Sequence, residues 1–167
     1  MISVFLQSML TYCLICSPVY MAFRLLYMRK RHSNLIRELM MYIFFLYCVC
    51  IFSQTIIPNF YTLDDIRGAE RYVQYNLVPF ETIRLYVNQL NGPLAHIAFY
   101  NLAGNIILFV PFGFFIPLLW SKMRTNVGMT IVALIIPIFI EGTQYFIGRS
   151  VDIDDVLLNA FAIVIGY

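Results

Sequence analysis

Residues 85–121 read LYVNQLNGPLAHIAFYNLAGNIILFVPFGFFIPLLWS, and this stretch decides the fold. It continues for 37 residues without a Lys, Arg, Asp or Glu, whereas a transmembrane helix needs about 20 apolar residues. The stretch therefore predicts one complete membrane span, with part of a connecting segment before it. Pro111 and Pro117 fall inside this span and predict kinks, because a proline nitrogen donates no hydrogen bond to the preceding turn.

Three further runs of the sequence can also cross a bilayer. Residues 2–23 and 39–63 are uncharged, and a run from residue 125 to residue 148 contains only one charge, Glu141. After Asp155 only 12 residues remain, which would reach about 18 Å as a helix where about 30 Å of hydrocarbon must be crossed. We predict an all-α polytopic membrane protein with about five transmembrane helices, the last of them short or truncated.

The composition supports this class of protein. Of the 167 residues, 61% are hydrophobic and 12% are charged, whereas soluble domains have about 45 to 50% apolar and about 25% charged residues. The net charge of +2 gives no indication of a nucleic-acid partner. The four cysteines lie in apolar runs, which favours packing thiols over a disulfide or metal framework. We predict a single membrane domain over residues 1–167, without a cofactor or a bound metal.

Basic residues predict the orientation, because cytoplasmic loops accumulate Lys and Arg. Seven of the eleven basic residues fall in the loop after the first span or the loop after the third span. If both loops are cytoplasmic, the N-terminus and the segment from about residue 58 to residue 95 lie on the extracytoplasmic side of the cell membrane. The seven residues are Arg24, Arg29, Lys30, Arg31, Arg37, Lys122 and Arg124.

The long outer segment predicts two short interfacial helices. One is predicted to begin near Thr62 and Asp65, and the other follows Pro79. The second carries an apolar stripe at helical spacing, as expected of a helix that lies on a membrane surface. The stripe consists of Ile83, Tyr86, Val87 and Leu90.

Polar residues inside the last three spans occur at offsets of three and four, so the residues of each span share a helix face. At about 1.5 Å per residue, Asn101 would lie about 9 Å below the outer boundary and Glu141 about 10 Å below it. Three helices thus offer polar faces at one depth, with Arg149 at the outer end of the fourth span. We predict a binding site formed by Asn101, Asn105, Glu141, Gln144, Arg149, Asp152, Asp155 and Asn159.

Structural roles for the same residues remain open. Asn and Gln often join membrane helices by hydrogen bonds, Asp152 suits the N-cap position of a helix, and Asp155 suits its first turn. Glu141 differs, because a carboxylate inside a span costs about 2.5 to 3.5 kcal/mol or more and is normally paired or functional. Arg149 is the cation expected to meet these acids, and Arg84 is a second candidate.

Four motifs in order give the chain a resemblance to a known family. They are Asn76-Leu77-Val78-Pro79-Phe80, Asn101-x-x-x-Asn105 with Phe109, Pro111 and Gly113, Glu141-x-x-Gln144, and Arg149-x-x-Asp152-x-x-Asp155-x-x-x-Asn159 with Gly166. This set of motifs resembles the VanZ-like family of bacterial membrane proteins, and the resemblance covers about residues 40–167. The resemblance implies low-level resistance to glycopeptides, chiefly of the lipid-tailed teicoplanin type, and implies no settled chemical mechanism.

Three functions are compatible with these patterns. The leading hypothesis is a pocket in the outer leaflet, surrounded by membrane lipids, that binds an amphiphile. The amphiphile would be a lipoglycopeptide antibiotic or a lipid-linked cell-wall component. The second is a membrane enzyme acting on a lipid or envelope precursor, in which Glu141, Asp152 and Asp155 act as acid-base groups or as metal ligands. The third is a structural membrane scaffold.

Overall fold

The computed structural model describes residues 2–29, 34–55 and 75–167, with side chains from residue 6 onward. The predicted helix near Thr62 lies outside these residues. The described part of the chain contains six α-helices, a 3₁₀ turn (Ser121–Met123) and two short strands. The helices are α1 (Ile2–Met28), α2 (Leu35–Thr55), α3 (Glu81–Gln89), α4 (Ala95–Leu119), α5 (Asn126–Phe146) and α6 (Ile153–Gly166), and the strands are β1 (Tyr75–Asn76) and β2 (Val151–Asp152).

Four of the described helices are long and apolar enough to cross a membrane. They comprise Leu6–Met28 of α1 together with the whole of α2, α4 and α5. α6 has 14 residues, or about 21 Å of helix, and is not among these four. The class of helical membrane protein is thereby confirmed, with four candidate spans among the described residues, and a count of about five stays a prediction.

The chain divides into two compact units, Met1–Leu63 and Asp64–Tyr167. The predicted single membrane domain stays a prediction. In the first unit α1 and α2 pack antiparallel, and Tyr20 of α1 stacks on Phe45 of α2 with ring centroids 4.2 Å apart. Near the opposite end of the helix pair, the Sγ atoms of Cys13 and Cys50 approach to 3.6 Å as free thiols.

An ion pair joins the same two helices of the first unit. The Arg24 guanidinium donates two hydrogen bonds to the Glu38 carboxylate, from Nε to Oε2 and from Nη2 to Oε1 at 2.8 Å. Glu38 is only 8% exposed, so the bidentate partner offsets the cost of burying its charge. The sequence analysis assigned Arg24 to a basic loop and did not predict this pair.

In the second unit α6 packs more extensively on α4 than any other two described elements do on each other. Two glycines allow this close approach: a Cβ placed on Gly113 would overlap the Ile163 carbonyl, and one placed on Gly166 would overlap the Val110 carbonyl. Large apolar side chains fill the remaining core. They include Phe109, Phe112 and Ile116 of α4, Met129 and Ile140 of α5, and Val156 and Ile163 of α6.

The connection between α4 and α5 explains where α4 ends and where α5 begins. Arg124 donates hydrogen bonds to the carbonyls of Pro117 and Leu118 at 2.8 and 3.3 Å, which satisfies acceptors in the last turn of α4. The Thr125 hydroxyl accepts from the Gly128 N–H and caps α5. Lys122 and Arg124 therefore lie between the third and fourth spans, as predicted.

β1 and β2 form a parallel pair that the all-α prediction missed. Tyr75 lies opposite Val151, and Asn76 lies opposite Asp152. Strands of two residues are too short to show an alternating pattern in the sequence. Their pairing brings the segment before α3 to the start of α6, and this meeting builds the candidate site.

Candidate functional site

α3 begins without a capping side chain of its own. Its N-cap residue is Phe80, which has a left-handed backbone (φ 67°) and no group that could accept a hydrogen bond from the first turn. The Asp154 carboxylate of α6 supplies the acceptors, since Oδ1 accepts from the Phe80 N–H at 2.5 Å and Oδ2 from the Ile83 N–H at 3.0 Å. These are the two N–H groups that a capping box satisfies within one helix. Asp154 thus anchors α3 to α6.

The sequence analysis did not select Asp154 as a site residue. It is completely buried, and both carboxylate oxygens are occupied by backbone N–H groups. A signal was present, because Phe80 is a poor N-cap residue and α3 needed an acceptor from elsewhere. The sequence alone could not indicate which acid would supply it.

Asp152 and Asn76 connect the strand pair to both neighbouring helices. Asp152 caps α6 by accepting from the Asp154 N–H at 2.9 Å, which is the structural role left open for it, and its Oδ1 also accepts from Asn76 Nδ2 at 3.2 Å. Asn76 Nδ2 further donates to the Thr82 hydroxyl at 2.7 Å. Asn76 belongs to the family-like motif, although the sequence analysis did not name it as a binding residue.

The two asparagines of α4 have separate partners. Asn105 Nδ2 donates to Asp155 Oδ1 at 2.7 Å, which links α4 to α6. Asn101 Nδ2 donates to the Ile97 carbonyl of its own helix at 2.9 Å. Of these two residues, only Asn105 binds a carboxylate.

Glu141, Gln144 and Asn159 lie deeper in the second unit. Glu141 is 6% exposed, and its Oε2 lies 3.4 Å from the Asp152 N–H. Gln144 is buried, and its backbone carbonyl accepts from the Arg149 N–H at 3.0 Å. Asn159 is also buried, and its Oδ1 finds no hydrogen-bond partner among the described residues.

A cavity of about 650 Å³ opens where β1, β2, α3, α4 and α6 meet. We call it the polar cavity. Four of the eight predicted site residues line it, while Asn105, Glu141, Gln144 and Asn159 do not. Arg149 is the cation at the site, and Arg84 is exposed and not part of the lining. The lining consists of Tyr75, Asn76, Thr82, Leu85, Tyr86, Asn101, Arg149, Ser150, Val151, Asp152 and Asp155.

The charged groups that the described residues contribute to this lining are unequal in number. Asp152 and Asp155 contribute two carboxylates, and Arg149 contributes one guanidinium. Burial raises the pKa of Tyr86, and the nearby Asp155 and Asp152 carboxylates raise it further. The Tyr86 hydroxyl therefore stays protonated at neutral pH and can donate a hydrogen bond. The described residues contain no group of three or more His, Cys, Asp or Glu side chains placed to hold a metal ion.

The fold and this cavity define a helical membrane protein with a polar site beside its spans. The family model described as VanZ/LLP1 matches residues 44–167. The chain belongs to the VanZ-like family, which confirms the resemblance and suggests a membrane protein related to glycopeptide resistance. Comparisons with curated proteins and with solved structures find no significant match.

Proposed function

We propose that the protein contributes to tolerance of teicoplanin-type glycopeptides by engaging an amphiphile at the polar cavity. The amphiphile is either the lipid-tailed drug or a lipid-linked component of the cell envelope. Family membership supports the link to glycopeptides. The observation that carries the proposal is the polar cavity, which gathers Asn101, Arg149, Asp152 and Asp155 from separate parts of the second unit.

The surroundings of the cavity suit a ligand with a polar head and an apolar tail. Leu85, which lines the cavity, is half exposed, and Val87 on the same helix is exposed to the same degree. Phe99 and Tyr100, just before Asn101 on α4, are also largely exposed. An amphiphile could place its head among the polar side chains and its tail along these apolar surfaces.

The outer leaflet is the proposed location of the cavity. Asn101 lies near the start of α4, while Lys122 and Arg124 follow its other end, about 27 Å from Asn101 at 1.5 Å per residue. A cytoplasmic position for the basic turn therefore puts the cavity on the opposite side. A reporter active only outside the cytoplasm should work when inserted near Gly68 and fail near Arg124. The reverse pattern would move the cavity to the cytoplasmic side and end the proposal.

Comparison of two antibiotics tests the proposed function. Expression in a susceptible Gram-positive host should raise tolerance to teicoplanin more than tolerance to vancomycin, because only teicoplanin carries a lipid tail. Membrane levels of the protein are measured in both arms. An equal rise for both drugs would indicate altered cell-wall precursors, and no rise for either would refute the drug-related function.

A further inference from the structure

We infer that the polar cavity selects an amphiphile whose head group carries an ammonium ion. The inference rests on the proposed function, because it concerns the same cavity, and it adds the charge of the ligand. It follows from the balance of charges in the lining, from the carboxylate oxygens that remain available, and from the aromatic rings beside them.

The charges of the cavity favour a cation over an anion. Among the described residues, two carboxylates and one guanidinium line it, and the buried Glu141 adjoins the Asp152 backbone. A phosphate head group would find one cation and would be repelled by at least two carboxylates. An ammonium head group would meet the opposite balance, since the carboxylates outnumber the guanidinium in the described lining.

The carboxylates of the lining retain acceptor capacity. Within the described part of the chain, Oδ1 is the oxygen that accepts the hydrogen bonds to Asp152 and to Asp155. Oδ2 of each carboxylate is thus left for a donor from a ligand. Asp154 differs, because backbone N–H groups occupy both of its oxygens. An ammonium ion has three N–H donors and no acceptor, which matches these free acceptors.

Aromatic side chains strengthen the preference for a cation. Tyr75 and Tyr86 belong to the same lining as the two carboxylates. A cation near the face of such a ring is attracted by its quadrupole, and the attraction grows when water is excluded. An ammonium head group can therefore use carboxylates and ring faces together, whereas a phosphate could use only the tyrosine hydroxyls as donors.

Three amphiphiles with the same alkyl chain provide the test. Hexadecylammonium, hexadecyl phosphate and hexadecyl maltoside are titrated into the full-length protein in nanodiscs of neutral lipid, with empty nanodiscs as the control for partitioning. Hexadecylammonium is expected to bind with a Kd at least tenfold below that of hexadecyl phosphate. Asp155→Asn and Asp152→Asn should each reduce this preference severalfold, and Asn at position 152 keeps the helix cap.

Glu81→Gln is the matched control, because Glu81 is an exposed acid on α3 that does not line the cavity. It should leave the preference unchanged, and an equal loss in this variant would show that general surface charge had produced the effect. Equal or tighter binding of the phosphate or the maltoside, weakened by Asn101→Ala, would refute the ammonium preference and keep the proposed function. No amphiphile binding that depends on cavity residues would refute both. Thermal melts of each variant separate lost binding from lost folding.

Discussion

A carboxylate between the two helices of the first unit and the two carboxylates of the polar cavity are bound in different ways. In the first unit both oxygens of Glu38 are bound by one guanidinium, that of Arg24, beside a cavity of about 270 Å³ with an almost wholly apolar lining. In the second unit Asp152 and Asp155 outnumber the cation of a polar cavity and are bound by backbone and asparagine N–H groups. The difference teaches that a saturated carboxylate fastens helices together, whereas a partly saturated one beside a cavity can still receive a ligand.

The protein carries a separate reporter for each unit. All four cysteines lie in the first unit, and the single tryptophan, Trp120, lies in the second. The rate of cysteine labelling therefore follows opening of the first unit. The fluorescence of Trp120 follows unfolding of the second.

The largest expected effect is that of Glu38→Gln in the first unit. Removing one member of a buried ion pair typically costs about 3 to 5 kcal/mol, because the other charge keeps its desolvation penalty. Cysteine labelling should become much faster, while the Trp120 transition stays near wild type. Adding Arg24→Gln should restore part of the loss. Wild-type labelling in the single variant would show that the ion pair does not hold α1 against α2.

Gly113→Ala should give the next largest effect, now in the second unit. The added methyl group would overlap backbone atoms of α6, and overpacking of this kind costs about 1 to 3 kcal/mol. The Trp120 transition should shift to lower denaturant concentration. Gly104→Ala is the control, because nothing lies within 4 Å of its added Cβ. Equal stability of the two variants would contradict the close contact of α4 with α6.

A loss of similar size to that of Gly113→Ala is expected from Asp154→Asn. The amide offers one acceptor oxygen where the carboxylate offered two, so one buried N–H at the start of α3 loses its partner at a cost of about 1 to 3 kcal/mol. Hydrogen exchange of the Phe80 and Ile83 amides should accelerate. The same measurement on Asp155→Asn should show these two amides unchanged. Unaltered exchange in Asp154→Asn would remove Asp154 as the anchor of α3.

The sequence predicted the spans well, because the spacing of charges and prolines is a local signal. α4 begins at Ala95, the boundary assumed for the third span, and Asp152 caps α6, which is the structural role left open for it. The ion pair of Arg24 with Glu38 and the capping of α3 by Asp154 depend on how distant segments pack. No periodicity records such contacts, so the sequence could not reveal them.

The polar site was predicted in part for the same reason. Offsets of three and four predict which residues of a helix share a face, but they could not separate side chains that line the cavity from those that do not. Asn101 and Asp155 line the cavity, whereas Asn159 lies outside it. Asn76 and Tyr86 come from the segment before α4, and only the strand pair and α3 bring them to the site.

The most direct test compares teicoplanin tolerance in Asp155→Asn and Glu38→Gln, each divided by the amount of protein in the membrane. Asp155→Asn is expected to lower tolerance per molecule at least tenfold, equivalent to about 1.4 kcal/mol, while the Trp120 transition stays near wild type. Glu38→Gln is expected to keep tolerance per molecule and to lose stability in the first unit. Full tolerance in Asp155→Asn, or a loss that merely follows its protein level, would contradict a binding role for the carboxylates of the polar cavity.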